Sequence, residues 1–116
     1  MRVKRGVTTH KKHKKIMKQT KGMSHARRTS IKLAKQGVVR SLQYAYRDRR
    51  NKKRDLRSLW ITRINASVRE HGVNYSSFMA GLKKNNVEVD RKIMAELAVK
   101  HPEAMKELVK VSGASK

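Results

Sequence analysis

The chain has 116 residues, of which 31 are Lys or Arg and 8 are Asp or Glu, giving a formal net charge of +23. Self-repulsion at that density opposes compaction, so the working state includes a large anionic partner. Apolar residues are 37% and aromatic residues 4%, too few for a core that enlists the whole chain. No Cys is present, which excludes disulfides, thiolate zinc sites and a cysteine nucleophile, and the longest apolar runs are three residues, which excludes a membrane span.

The charge is uneven. Residues 1–57 hold 21 basic and 2 acidic residues, and residues 58–116 hold 10 basic and 6 acidic ones. Asp48 is the first carboxylate of the chain. The division predicts a cationic extension carrying a long helix over 1–57, followed by a small helical domain over 58–116. A block of like charge with little to bury cannot repay its ordering entropy alone, and basic N-terminal arms commonly bind nucleic acid. The string His10-Lys11-Lys12-His13-Lys14-Lys15 has no apolar face and runs on into a helical pattern, so the arm reads as a working segment and not as a cleaved targeting signal.

In chain order, residues 1–8 are expected to be extended. Thr8 or Thr9 caps a short helix over about residues 10–20, stopped near Gly22. Ser24 is the candidate cap of the next helix, which the absence of Pro and the good helix formers extend from Ala26 to about Glu70. Such a helix would hold about 45 residues and run about 68 Å. Gly37 is its expected bend or break. Leu33, Val38 (or Val39), Leu42 and Ala45 form a thin apolar stripe. Arg47 to Asp55, reading RDRRNKKRD, contains no apolar residue. A helix polar all round either bridges solvent or lies against something polar, and with an acid-free arm before it this one is read as sheathed in phosphate. Asp48 and Asp55 offer local relief, Asp48 to Lys52.

From Leu56 the pattern changes. Leu56, Leu59, Trp60, Ile64 and Val68 recur at the spacing of a core-facing helix, and His71-Gly72 ends it. Asn74 or Ser76 opens a helix with Phe78, Met79 and Leu82 inward, ending near Asn85-Asn86. Asp90 is the next N-cap, with Val89 and Met94 placed as a hydrophobic staple. Ile93, Met94, Leu97 and Ala98 are expected to face inward. His101-Pro102 ends that helix and starts the last one, whose stripe is Met105, Leu108 and Val109. Ser112 to Lys116 is expected to fray. No strand pattern appears, so the fold class is all-α, and the C-terminal half is a bundle of four short helices, the first being the end of the long one. Trp60, Phe78 and the Leu and Met residues would carry its core.

No catalytic constellation can be assembled. His10 and His13 share a face at i, i+3, but no carboxylate or thiol nearby completes a metal shell. His71 and His101 stand at helix ends, where a dipole contact explains them. No glycine-rich phosphate loop, nucleophile-base spacing or paired carboxylates occur. No catalytic residue, metal, cofactor or small-molecule substrate is therefore expected.

What remains is backbone recognition of nucleic acid. Lys and Arg neutralise phosphates and release counterions, and the Arg excess between residues 27 and 57 suits bidentate phosphate contact. The candidate contacts are Arg2, Lys4, Arg5, Lys11, Lys12, His13, Lys14, Lys15, Lys18, Lys21, Arg27, Arg28 and Arg40. Within the polar stretch they are Arg47, Arg49, Arg50, Asn51, Lys52, Lys53, Arg54 and Arg57. Tyr44 and Tyr46 either stack on bases or pack on their own helix. No helix-turn-helix, zinc-finger or basic-zipper pattern supports duplex readout. Composition alone leaves RNA and DNA both open, a histone-like DNA-compacting protein being the alternative.

Tyr44 to Ala66, reading YAYRDRRNKKRDLRSLWITRINA, resembles the bacterial large-subunit ribosomal protein number twenty family. The resemblance covers nearly the whole chain, including Arg2-Val3-Lys4-Arg5-Gly6, His13-Lys14-Lys15, Lys21-Gly22, Gly72 to Ser76, Gly81-Leu82-Lys83 and Asp90-Arg91-Lys92. It departs over Met23 to Arg28, where the family often has aromatic residues. The resemblance implies a non-enzymatic component of the 50S subunit, in a bacterial ribosome in the cytoplasm, that binds 23S rRNA in domain II early in assembly. The partners it implies are that rRNA, neighbouring large-subunit proteins and, for some members, the messenger leader through which they repress their own translation. It carries over most strongly to Tyr46 through Trp60, to Arg63 and Asn65, and to the turn around Gly72 to Ser76. In the C-terminal domain, Arg63, Asn65, Arg69, Asn74, Ser76, Lys83 and Lys84 fall outside the apolar stripes and are the candidates for specific rRNA contact.

Overall fold

The single Pro of the chain, Pro102, stands at the first position of a helix, so no proline ring interrupts the backbone before it. The computed structural model describes residues 4–114. In order they form α1 (Gly6–Gln19), a 3-10 turn (His25–Arg28), α2 (Ile31–Glu70), α3 (Tyr75–Lys84), α4 (Arg91–Lys100) and α5 (Pro102–Ser112). No strand occurs among the described residues, so the all-α expectation stands. The chain divides within α2 into two compact units, Met1–Arg50 and Asn51–Lys116.

In the first unit, α1 begins earlier than its composition suggests. Residues 6–8 are helical and not extended, Thr8 and Thr9 lie inside the helix, and Arg5 is the capping position, its carbonyl accepting the Thr9 N–H at 3.0 Å. Nothing between Gly6 and Gly22 stops a helix, and a Gly in the first turn forfeits little because that turn's N–H groups lack helical partners anyway. The expected extension of residues 1–3 lies outside the described residues.

The long helix begins later than expected. Ser24 precedes the 3-10 turn and not α2. The Thr29 hydroxyl turns back to the Ala26 carbonyl at 3.4 Å, a local bond that competes with helix propagation. Ser30 then supplies the carbonyl that accepts the Ala34 N–H at 2.8 Å. From Ile31 the helix runs 40 residues and passes through Gly37 without a break. Gly37 serves packing: a Cβ there would lie 3.3 Å from Met23 Sδ and 3.5 Å from Arg27 Cδ. The residues buried in this unit are Thr20, Ala34 and Gly37, small side chains that let segments approach. Of the expected stripe, Leu33, Val39 and Leu42 are exposed while Val38 and Ala45 are partly buried, so it supplies only a partial contact.

The second unit has a conventional core. Ile64 and Val68 from α2, Val73 from the turn after it, Phe78 and Leu82 from α3, Met94 and Ala95 from α4, and Met105 and Val109 from α5 form one buried cluster. All four helices contribute, as the stripes predict. Gly72 at φ +75 ends α2: its N–H bonds the Arg69 carbonyl at 2.9 Å, and the Val73 N–H bonds the Val68 carbonyl at 3.1 Å. This is a Schellman cap, its apolar contact made by Val68 and Val73. Asn86 at φ +54 repeats it for α3, with the Val87 N–H on the Leu82 carbonyl at 3.0 Å.

Four expectations fail here. Leu56 and Leu59 are exposed, because the stripe of α2 continues N-terminally past the surface that α3–α5 cover. Trp60 is partly buried and packs against the core's margin. Ile93 is exposed while Ala95 is buried. The two stand about 200° apart around the helix, so both cannot face inward. Ser112 is buried and helical, its Oγ donating to the Val109 carbonyl at 2.6 Å, because Gly113 at φ +65 turns the chain only after it.

Candidate nucleic-acid interface

The Lys residues of α1 recur at i, i+3, i+4 and i+7, a spacing that sets Lys11, Lys14, Lys15 and Lys18 along one side of the helix. The turn at Gly22, with φ +88, leads on to Lys21's neighbours and Arg28. Together Lys11, Lys14, Lys15, Lys18, Lys21 and Arg28 line a concavity of about 970 Å³. Among the described residues none of these cations is in an ion pair with a carboxylate. Lys4, Arg5 and Lys12 are exposed outside this concavity, and His13 is partly buried. Arg27 is exposed at its head while its Cγ and Cδ lie against Gly37. Arg2 lies outside the described residues.

Along α2, Arg47, Arg49, Arg50, Lys52, Lys53, Arg54 and Arg57 are all exposed, and Asn51 is partly buried. Asp48, Asn51 and Asp55, at i, i+3 and i+7, fall on one seam, so cations occupy the rest of the circumference. Asp48 accepts from Arg47 Nε at 3.0 Å and not from Lys52, since the adjacent guanidinium reaches it first. Asp55 joins no ion pair among the described residues.

The two tyrosines are exposed and belong to no core. The Arg47 guanidinium lies 4.7 Å from the centroid of Tyr44, and that of Arg50 lies 4.4 Å from the centroid of Tyr46. Arg50 also donates to the Tyr46 hydroxyl, and Arg40 donates to the Tyr44 hydroxyl at 3.5 Å. A ring face under a guanidinium attracts it, and the N–H groups not already donated to Tyr46 or Asp48 can be donated to a phosphate.

In the second unit, Arg63, Arg69, Asn74, Ser76, Lys83 and Lys84 are exposed and Asn65 is partly buried. Asn65 Oδ1 accepts from Arg69 Nε at 3.3 Å, which couples two predicted contacts on one face of α2. Asn74 is the cap position of α3 without a side-chain cap bond, which leaves its amide available. Lys83 and Lys84 occupy the last turn of α3, where they complement the helix dipole.

Sequence reasoning missed three cations. Arg91 Nε donates to the Tyr75 hydroxyl at 3.0 Å, while Lys92 and Lys100 line a cleft beside Trp60 and Arg63. The i, i+8 spacing of the two lysines on one face of α4 was the available signal, but only packing shows that this face meets Trp60. Among the described residues no cluster of His, Asp or Glu could hold a metal, and no helix is long and apolar enough to cross a membrane.

Comparison with known proteins identifies the family. Residues 2–108 match the family described as ribosomal protein L20. A large ribosomal subunit protein bL20 of Chelativorans sp. is 56% identical over 114 residues, 98% of this chain and 86% of that protein. The proteins of the same name from Pelagibacter ubique and Parvibaculum lavamentivorans are 56% and 53% identical, over 93% and 98% of this chain and 92% and 97% of their own lengths. The chain belongs to the ribosomal protein L20 family.

Proposed function

We propose that this chain is a structural constituent of the bacterial large ribosomal subunit that binds 23S rRNA directly, in domain II, and supports early subunit assembly. The observation that carries the reading is the stretch Arg47 to Arg57, in which seven exposed cations surround a helix that offers only Asp48 and Asp55 in return. Such a helix is favourable when phosphates surround it and self-repelling otherwise. Membership of a structural ribosomal family supports the absence of an enzymatic role. The second unit, with its own core, adds a shaped surface on which Arg63, Asn65, Arg69, Asn74, Ser76, Lys83 and Lys84 would distinguish one RNA from another. Neighbouring large-subunit proteins are the expected protein partners. A messenger leader that copies the rRNA site would bind by the same contacts, giving translational self-repression.

The test is competition at about 0.3 M salt, where the nonspecific electrostatic contribution is suppressed. The purified protein is bound to a domain II fragment of 23S rRNA and challenged with transfer RNA and duplex DNA. A saturable complex that survives both is the expected result. Equal displacement by both would leave only a polycation and favour a histone-like DNA-binding role instead.

A further inference from the structure

A cleft lies between the C-terminal part of α2 and α4. Its volume is about 260 Å³, and its wall includes the partly buried indole of Trp60 and the exposed side chain of Val99. Around this apolar wall stand Arg63, Lys92 and Lys100, with Glu96 as the one carboxylate. The size lies below the roughly 300–1,000 Å³ of sites that take drug-sized ligands, and it suits one planar ring rather than a peptide. Three cations against one anion leave the rim positive. Lys100 donates to Glu96 one turn back and holds its carboxyl below the usual carboxylate range, so the anion stays spoken for and Arg63 and Lys92 remain available.

An aromatic wall with cations on its rim is how a single unstacked base is held: the base stacks on the ring, and its flanking phosphates meet the cations. Phosphate alone would not require the indole, and an apolar peptide would not require the cations. We propose that the Trp60 cleft receives one unpaired nucleobase of an RNA strand, with Arg63 and Lys92 on the flanking phosphates. The inference rests on the RNA-binding reading and deepens it, because it adds a base-dependent contact to a surface otherwise read as meeting backbone. Lys92 thereby becomes a binding residue that the charge pattern alone did not single out.

Trp60 is the only Trp of the chain, so indole emission reports on this cleft without labelling. The full chain is titrated with a ten-nucleotide oligouridylate labelled for anisotropy, in parallel with an abasic oligomer of equal length and with uridine monophosphate. Both oligomers are expected to bind, since the arm meets phosphate in either. Only the base-bearing one is expected to quench Trp60, and the mononucleotide is expected to leave emission unchanged.

Val99→Glu places a carboxylate at the mouth of the cleft on an exposed position and should abolish the quench while circular dichroism stays unchanged. Lys92→Ala should raise the quenching midpoint about 2- to 5-fold, the range for losing one exposed ion pair. Binding of both oligomers with equal or no quenching would overturn the cleft and leave the RNA reading standing. Quenching by the mononucleotide alone would overturn the requirement for a strand. Failure of either oligomer to bind would overturn the RNA reading itself, and the cleft with it.

Discussion

Gly81 shows how much one residue decides in the second unit. It lies inside α3, where Gly costs about 1 kcal/mol relative to Ala, yet a Cβ at that position would stand 2.2 Å from the carbonyl oxygen of Ser112 and 3.1 Å from its Cβ. The missing side chain is what lets α3 and α5 approach backbone to backbone. The Asn85 amide fixes the same pair of helices by donating to the Val111 carbonyl. Gly81→Ala therefore should destabilise by about 2 kcal/mol: overpacking costs about 1–3 kcal/mol, and a backbone carbonyl cannot move aside as a side-chain tip can. Urea unfolding checks this as a lowered midpoint. Gly6→Ala is the control, because no heavy atom lies within 4 Å of its added Cβ, and its midpoint should not fall. A Gly81→Ala midpoint equal to or above that of the parent would mean that α3 and α5 tolerate separation.

At the scale of the helix, what could be read from sequence follows from range. The cap at Gly72, Pro102 at the head of α5 and the inward faces of α3 and α5 depend on residues within one or two turns, and they were legible. Gly37 was not: its local signature is that of a break, and the reason it lies inside an unbroken α2 is the approach of Met23 and Arg27, a contact no periodicity encodes. Leu56 and Leu59 failed for the complementary reason, since a stripe states which face could pack but not where the partner surface ends. For the candidate interface, the cations themselves were plain, but the concavity that gathers those of α1 and the cleft beside Trp60 required tertiary structure.

The central part of α2 also allows a quantitative expectation. Arg49, Lys53 and Arg57 recur at i, i+4 and i+8 and are exposed, so they lie along one face, where like charges at i, i+4 repel. Replacing all three by Gln, a good helix former, should leave the helical circular dichroism unchanged or raised. If each meets a phosphate, the slope of log affinity against log salt should fall by about 2–3, since one phosphate contact contributes about 0.7–0.9. Titration of the domain II fragment at several salt concentrations measures this. An unchanged slope would assign this face to solvent or to a protein neighbour.

For the whole molecule, the two units are held by different forces, and this sets their behaviour apart from RNA. All nine buried members of the second core, from Ile64 to Val109, lie beyond residue 58, and residues 51–57 add no buried side chain. A fragment spanning 58–116 thus retains what folds it, although at this size stability is marginal. α1 is the opposite case. It buries no residue, has no acidic residue in its first turn, and sets Lys11 against Lys15 and Lys14 against Lys18 at the repulsive i, i+4 spacing. A helix of 14 residues with no fully buried side chain is marginal in water, so phosphate must supply what the chain does not.

Hydrogen exchange separates the two cases. In the free full-length protein, α1 amides should exchange nearly as fast as an unfolded segment, whereas those of Phe78, Met94 and Val109 should be protected to the level of global unfolding. The same core protection should appear in the 58–116 fragment. Adding the domain II fragment should slow exchange across α1 by orders of magnitude and leave the core rates set by global opening. Slow exchange in α1 without RNA would show that the N-terminal unit carries its own stability, and the arm would then be a preformed clamp rather than a segment ordered by the phosphates it neutralises.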